Sequence, residues 1–187
     1  MATNIESVVK YYVKKDLTGD EIKKITGKYP ILYSDLKNYT IKKLLSGIGD
    51  YQVLLLQTLT KLEGHYVALF DRPEGIYYFD SYGLGPPDSY KEYTKYDEEL
   101  PNYLSRILLT SGKPIISNTY DYQSWTRSTS TCGRYSALRI HLRDLNNDQF
   151  HSLFIGNQSK FLNNPDFVVC MLTLTALNNI NQIFEQN

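Results

Sequence analysis

The stretch HYVALFDRPEGIYYFD, residues 65–80, restricts the possible folds more than any other part of the chain. Two runs rich in aromatic and β-branched residues, HYVALF (65–70) and IYYFD (76–80), flank DRPEG, whose Pro and Gly favour a turn. The pattern predicts an antiparallel hairpin. If the turn is the four residues Asp71 to Glu74, Phe70 faces Gly75. Counting outward from that pair sets His65 directly opposite Asp80, on one face of the sheet. A five-residue turn would send the two side chains to opposite faces unless a bulge restored the phase.

Further strands are predicted at Tyr51 to Leu59, a largely apolar run that also suits a helix segment, and at PIIS (114–117). Upstream, Val8, Val9, Tyr12 and Val13 form one stripe of a helix over Ile5 to Lys15. TGDE (18–21) has the form of a capping box, opening a second helix that runs to Ile25, and Ser34 and Thr40 are candidate caps of short turns. Later helices are predicted at 98–110, 132–145, 147–155 and 165–183, the last with Asn164 as cap and Pro165 at its first position. Helices, then strands, then helices define an α+β class, a small central mixed sheet flanked by helices. No repeat or linker divides the chain. It reads as one domain over 1–187, with a helical part at 1–48 and a sheet and core at 49–187.

A chain of 187 residues buries a core without staples. Twenty basic and twenty acidic residues cancel, so no bulk field draws the protein to nucleic acid or to a membrane surface. Two cysteines are too few for a disulfide framework and point to a reducing, intracellular compartment. The N-terminus lacks signal-peptide features, and the longest apolar stretch, Phe167 to Leu177, is too short to span a bilayer.

One of the two cysteines has an unusual setting. STSTCGRY (128–135) places Cys132 behind a polar loop at the first turn of a predicted helix, where N–H groups and the helix dipole favour a thiolate. Hydrolytic cysteine chemistry needs that thiolate, an imidazole, a group that orients the imidazole, and oxyanion donors. Cys132, His65 and Asp80 are one set that can converge. Taken singly, each has a plainer reading: a buried small hydrophobe, an exposed strand-end histidine, a turn aspartate. His141 and His151 read as structural or solvated, and Cys170 lies in an apolar helix stripe. No His or Cys pair has zinc-ligand spacing, GLGPP (83–87) lacks the sequel of a phosphate loop, and KEYTKYDEEL (91–100) reads as solvated surface. No metal or cofactor is expected.

Together, GHYVALF, IYYFDSYG and YQSWTRSTSTCGRY resemble the adenain-like cysteine proteases of DNA viruses and the related SUMO-protease superfamily. FDSYG and TCGRY are most similar to capsid-maturation proteases of virophages, large DNA viruses and virus-like transposons. The resemblance implies a papain-like, adenain-like fold, with Cys132 as nucleophile and His65 as general base. It makes Asp80 the orienting acid and Gln123 the oxyanion donor beside the Cys132 N–H. It also implies viral capsid or core precursors as substrates, cleaved at glycine-containing sites during maturation, in the virion and the host cytoplasm. An isopeptidase acting on Gly-Gly-linked modifiers and an inactive structural relative are the alternatives, with acetyl transfer more distant. The adenoviral enzymes use a nucleic-acid activator, for which the neutral charge gives no support. Two features depart from the pattern: Tyr66 stands where tryptophan is common, and nine positions separate Gln123 from Cys132, more than is usual. The segment Ser124 to Thr131 is therefore expected to bulge outward, anchored by Trp125.

Overall fold

In a computed structural model, residues 2–57, 64–86, 102–126, 128–155 and 163–177 are described, with side chains from residue 5 onward. In chain order the elements are helices α1 (Ala2–Val13) and α2 (Gly19–Thr26), strand β1 (Ile31–Leu32), a 3-10 helix (Tyr33–Asn38), helix α3 (Ile41–Leu44), and strands β2 (Tyr51–Gln57), β3 (Gly64–Arg72) and β4 (Gly75–Phe79). Helix α4 (Tyr103–Leu109), strand β5 (Ile115–Ser117) and helices α5 (Cys132–His141), α6 (Asn147–Ser152) and α7 (Pro165–Ala176) follow. The class is α+β, as expected. No helix among the described residues is long and apolar enough to cross a membrane.

The five strands lie in the order β1-β2-β3-β4-β5, with β2, β3 and β4 antiparallel and the two outer pairs parallel. Alternation along the strands sorts the apolar side chains to two faces. Val53, Ala68, Phe70, Tyr77 and Phe79 pack under Leu17, Ile22 and the α5, α6 and α7 helices. Leu54, Leu56, Val67, Leu69, Ile76 and Tyr78 pack against Tyr33, Leu36, Leu44 and α4. The run at 51–57 is therefore a strand buried on both faces; positions 58 and 59 lie outside the described residues.

The hairpin turn is tighter than expected. Arg72 pairs with Gly75 and Ala68 with Phe79, so the loop is Pro73–Glu74 rather than Asp71 to Glu74. The register moves by two positions, which preserves the face but makes His65 and Asp80 diagonal instead of directly opposite. Asp71 belongs to the strand and binds Lys113 at 2.6 and 2.8 Å.

The helix expectations need smaller corrections. The capping box at Thr18 and Glu21 forms, and Asn164 caps α7 with Pro165 in its first turn. The first helix stops at Val13, short of Lys15. Ser34 lies inside the 3-10 helix and caps nothing, while Thr40 occupies the α3 cap position without a side-chain bond. The helix expected from 98 is described only from Tyr103, capped by Asn102, and positions 98–101 lie outside the described residues. Helix α5 ends at His141 instead of 145 because Arg139 donates to the carbonyls of Leu142 (3.0 Å) and Leu145 (2.9 Å), and Asn146 opens a new capping box. Helix α6 ends at Ser152, short of 155, and α7 at Ala176, with 178–183 outside the described residues.

Gly64 starts β3 where its neighbour comes closest. A Cβ there would stand 2.0 Å from the Leu56 carbonyl oxygen. Gly64→Ala should therefore force the β2–β3 ladder apart and cost about 1–3 kcal/mol. Denaturant unfolding of the variant measures this, and wild-type stability would contradict the close approach.

Candidate active site

His65 is the second residue of β3 and Asp80 follows the last residue of β4, so both hang from one end of the hairpin. Their side chains meet at 2.9 Å, His65 Nε2 to Asp80 Oδ1, with 4% and 0% of their surfaces exposed. A buried carboxylate must be held and satisfied. Asn118, just past β5, accepts from the Asp80 N–H (2.9 Å) and donates to the Asp80 carbonyl (2.8 Å). The Tyr82 N–H donates to Oδ1 at 2.8 Å, and the Tyr82 ring stacks on the imidazole with centroids 5.2 Å apart. Gly83, at φ +70°, closes the turn through its N–H to the Asp80 carbonyl (2.9 Å).

Cys132 is the first residue of α5, the position its sequence predicts. Gly133 allows that helix end to sit low on the sheet, since a Cβ there would come within 3.1 Å of the Tyr66 ring and 3.3 Å of Leu17. The Ser136 hydroxyl donates to the Tyr66 carbonyl at 3.0 Å, one turn further on. The Cys132 side chain and the His65 imidazole line the same cleft. With Nε2 committed to Asp80, Nδ1 is the nitrogen left for the thiol. Burial opposes a charge on His65, but the Asp80 carboxylate, its hydrogen bond, and the Cys132 side chain outweigh it and raise the imidazole to about 10.

Gln123 also reaches the site. Its carbonyl Oε1 accepts from the Ser81 hydroxyl at 2.8 Å, and its backbone N–H and that of Tyr122 donate to the Ser81 carbonyl (3.1 and 2.8 Å). Fixing Oε1 this way turns the amide N–H₂ toward the side of Thr129, whose carbonyl is 3.5 Å away. Trp125 stacks on Tyr82 at 3.9 Å and donates its indole N–H to Asp121 (2.9 Å), so it anchors the loop as expected while remaining 57% exposed. Asp16, Gly64, His65, Tyr82, Gln123, Thr129, Ser130 and Cys132 enclose a cleft of about 210 Å³. Three of the four residues picked out in the sequence, His65, Gln123 and Cys132, thus face one space, and Asp80 stands buried behind His65.

Three supporting residues were not picked out beforehand. Ser81 and Tyr82 stood in view within FDSYG, next to Asp80, but Asn118 carried no local signal. The remaining candidates lie elsewhere. Cys170 is fully buried beside Val9 and Val13, and burial pushes its thiol up to about 12. His141 is exposed, and His151 stacks on Tyr120 at 3.6 Å. Gly83 belongs to the Asp80 turn, and KEYTKYDEEL lies outside the described residues.

Comparison with known proteins gives one informative relative. The uncharacterized protein V9 of Sputnik virophage is 32% identical over 174 residues, covering 89% of this chain and 98% of that protein. The chain belongs to the same family as that virophage protein, a relationship that points to a viral origin. No known family profile matches the chain.

The charge on His65 has a measurable consequence. Its value is raised from 6.5 to about 10 on folding, so its stabilising contribution is complete below pH 6.5 and is lost as pH rises through about 10. Removing one partner of a buried pair costs about 3–5 kcal/mol. Urea unfolding of wild type and His65→Asn should show a gap of that order at pH 6, shrinking steadily from pH 6.5 to about 10. A gap independent of pH would contradict the charged pair.

Proposed function

We propose that this protein is a viral cysteine endopeptidase of the adenain-like kind, processing capsid or core precursors at glycine-containing sites. The observation that supports this most directly is the shared cleft. A thiol at a helix N-terminus lies against an imidazole whose far nitrogen is held by a buried carboxylate. That is the arrangement nucleophilic cysteine chemistry requires. The five-stranded sheet with α5 packed on one face is compatible with a papain-like fold, and the virophage relationship is compatible with a maturation role.

In the proposed reaction His65, as imidazolium, stabilises the Cys132 thiolate, which attacks the scissile carbonyl carbon. The oxyanion that forms is received by the Cys132 backbone N–H and by Gln123 Nε2. Collapse of the intermediate breaks the C–N bond, and the His65 proton passes to the departing amine. Neutral His65 then takes a proton from water, whose oxygen attacks the thioester, and collapse returns the thiolate and the imidazolium. Asp80 holds the ring at Nε2 throughout and offsets its charge. Tyr82 covers the ring and limits access of bulk water to the pair.

Peptides ending or branching at Gly-x-Gly and Gly-Gly, together with capsid precursors from the same virus, test the assignment. Cys132→Ala should abolish cleavage with the fold intact, and Gln123→Ala should lower kcat about 10²-fold with KM little changed. Asp80→Asn should lower kcat by roughly 10 to 10³-fold. Full activity in Cys132→Ala would refute the mechanism. Preference for a Gly-Gly isopeptide over every linear substrate would replace the endopeptidase reading with the modifier-removing one.

A further inference from the structure

The interval between Gln123 and Cys132 is long, yet both residues face the cleft. One side chain ties the two ends of that excursion together. Asp166, in the first turn of α7, accepts from the Thr131 hydroxyl through Oδ1 at 2.5 Å and from the Ser124 N–H through Oδ2 at 3.1 Å. Ser124 directly follows Gln123, and Thr131 directly precedes Cys132. Asp166 is 2% exposed, and its own N–H donates to the Asn164 cap at 2.9 Å, which fixes the carboxylate relative to α7.

We propose that Asp166 is a positioning residue for the reaction, a carboxylate clasp that sets the separation between the Gln123 amide and the Cys132 N–H and so the spacing of the oxyanion donors. The inference rests on the endopeptidase reading for its catalytic consequence.

The surroundings of Asp166 fit this role better than a general stabilising one. A clasp must accept from both loop ends at once, which a carboxylate does with its two oxygens and an amide does not. Tyr135, one turn into α5 from Cys132, donates its hydroxyl to the Tyr122 carbonyl at 3.2 Å. Both neighbours of Gln123 are thereby held to α5 or α7. Burial raises the Asp166 carboxyl, and the bonds from Thr131 and Ser124 act in the opposite direction. Within the described part of the loop, Thr126 bonds the Ser128 and Thr129 hydroxyls (3.2 and 2.8 Å), and the Ser130 N–H donates to the Val13 carbonyl (2.8 Å). The excursion is thus locally organised, and Asp166 closes its base.

The test compares Asp166→Asn with wild type in four readouts: kcat and KM on a cleaved peptide, iodoacetamide labelling of Cys132, emission of Trp125, and melting temperature. Trp125 is the one tryptophan in the chain and neighbours Ser124, so its fluorescence reports the loop base. Asp166→Asn should lower kcat about 10-fold to 10²-fold, with KM and Cys132 labelling within about twofold of wild type, and should shift Trp125 emission. In a Gln123→Ala background the same substitution should cost kcat almost nothing more, because the donor it positions is already gone. Additive losses would overturn the proposal, as would labelling, KM and kcat all falling together. If Asp166→Asn does not fold, Thr131→Val removes one tie alone and should give the same pattern at smaller size; an unchanged kcat there would equally overturn it. If wild type cleaves none of the peptides or precursors, the enzymatic reading fails, and the Trp125 shift in Asp166→Asn or Thr131→Val still decides whether the clasp exists.

Discussion

An imidazole pushed toward its charged form and a carboxylate, 2.9 Å apart and almost wholly sealed from water, set the terms for the rest of this structure. Removing such ions from solvent costs several kcal/mol each unless the geometry is fixed and the remaining polar atoms are satisfied. The molecule meets that demand from four directions. Asn118 grips the Asp80 backbone, the Tyr82 N–H caps its carboxylate, the Tyr82 ring covers His65, and the Cys132 side chain takes the free side of the imidazole. These contributions come from three separate stretches of chain, around Tyr82, Asn118 and Cys132. The pair therefore links the hairpin, the segment after β5 and the start of α5 into one unit.

The second constraint is the depth at which α5 sits. All of Cys132 to Ile140 is buried, including Arg134, Ser136 and Arg139. Arg139 lies over the faces of Phe70 (4.5 Å) and Phe150 (5.0 Å) while its N–H groups take the carbonyls beyond the helix end. Arg134 bonds the Thr173 hydroxyl at 3.0 Å and sits over Tyr12 at 5.3 Å. These contacts join α5 to α1, α7 and the sheet. Glycine at 133 then lets its N-terminus approach Tyr66 closely enough to bring the thiol to the imidazole. Packing of the helix and placement of the nucleophile are the same event.

Much of the candidate site was legible in the sequence because it rests on local rules. A cysteine after a polar run and before a helix lies at a helix N-terminus, and two strands joined by a Pro-Glu turn keep His65 and Asp80 on one face. The turn length was misjudged by two residues, an even number, so the face survived although the pairing did not. The end of α5 was misplaced because Arg139 folds back on carbonyls that a helix-period reading assigns to a further turn. Asn118, Thr131 and Asp166 offered no pattern, since their partners lie 35 to 42 positions away or their bonds run to backbone atoms.

The sequence by itself determined the α+β class, the central hairpin, the capped helices and the candidate set of Cys132, His65 and Asp80. Those features follow from alternation, helix periodicity, turn chemistry and capping, all of which act over a few neighbouring residues. The tertiary structure alone decided that a loop of this length between Gln123 and Cys132 closes at its base, that two arginines belong inside the molecule, and that His65 meets Asp80 out of contact with water. Each of those depends on a carboxylate, a carbonyl or an aromatic face supplied from a distant part of the chain. Their energies come from exclusion of water, which exists only once the layers have packed together.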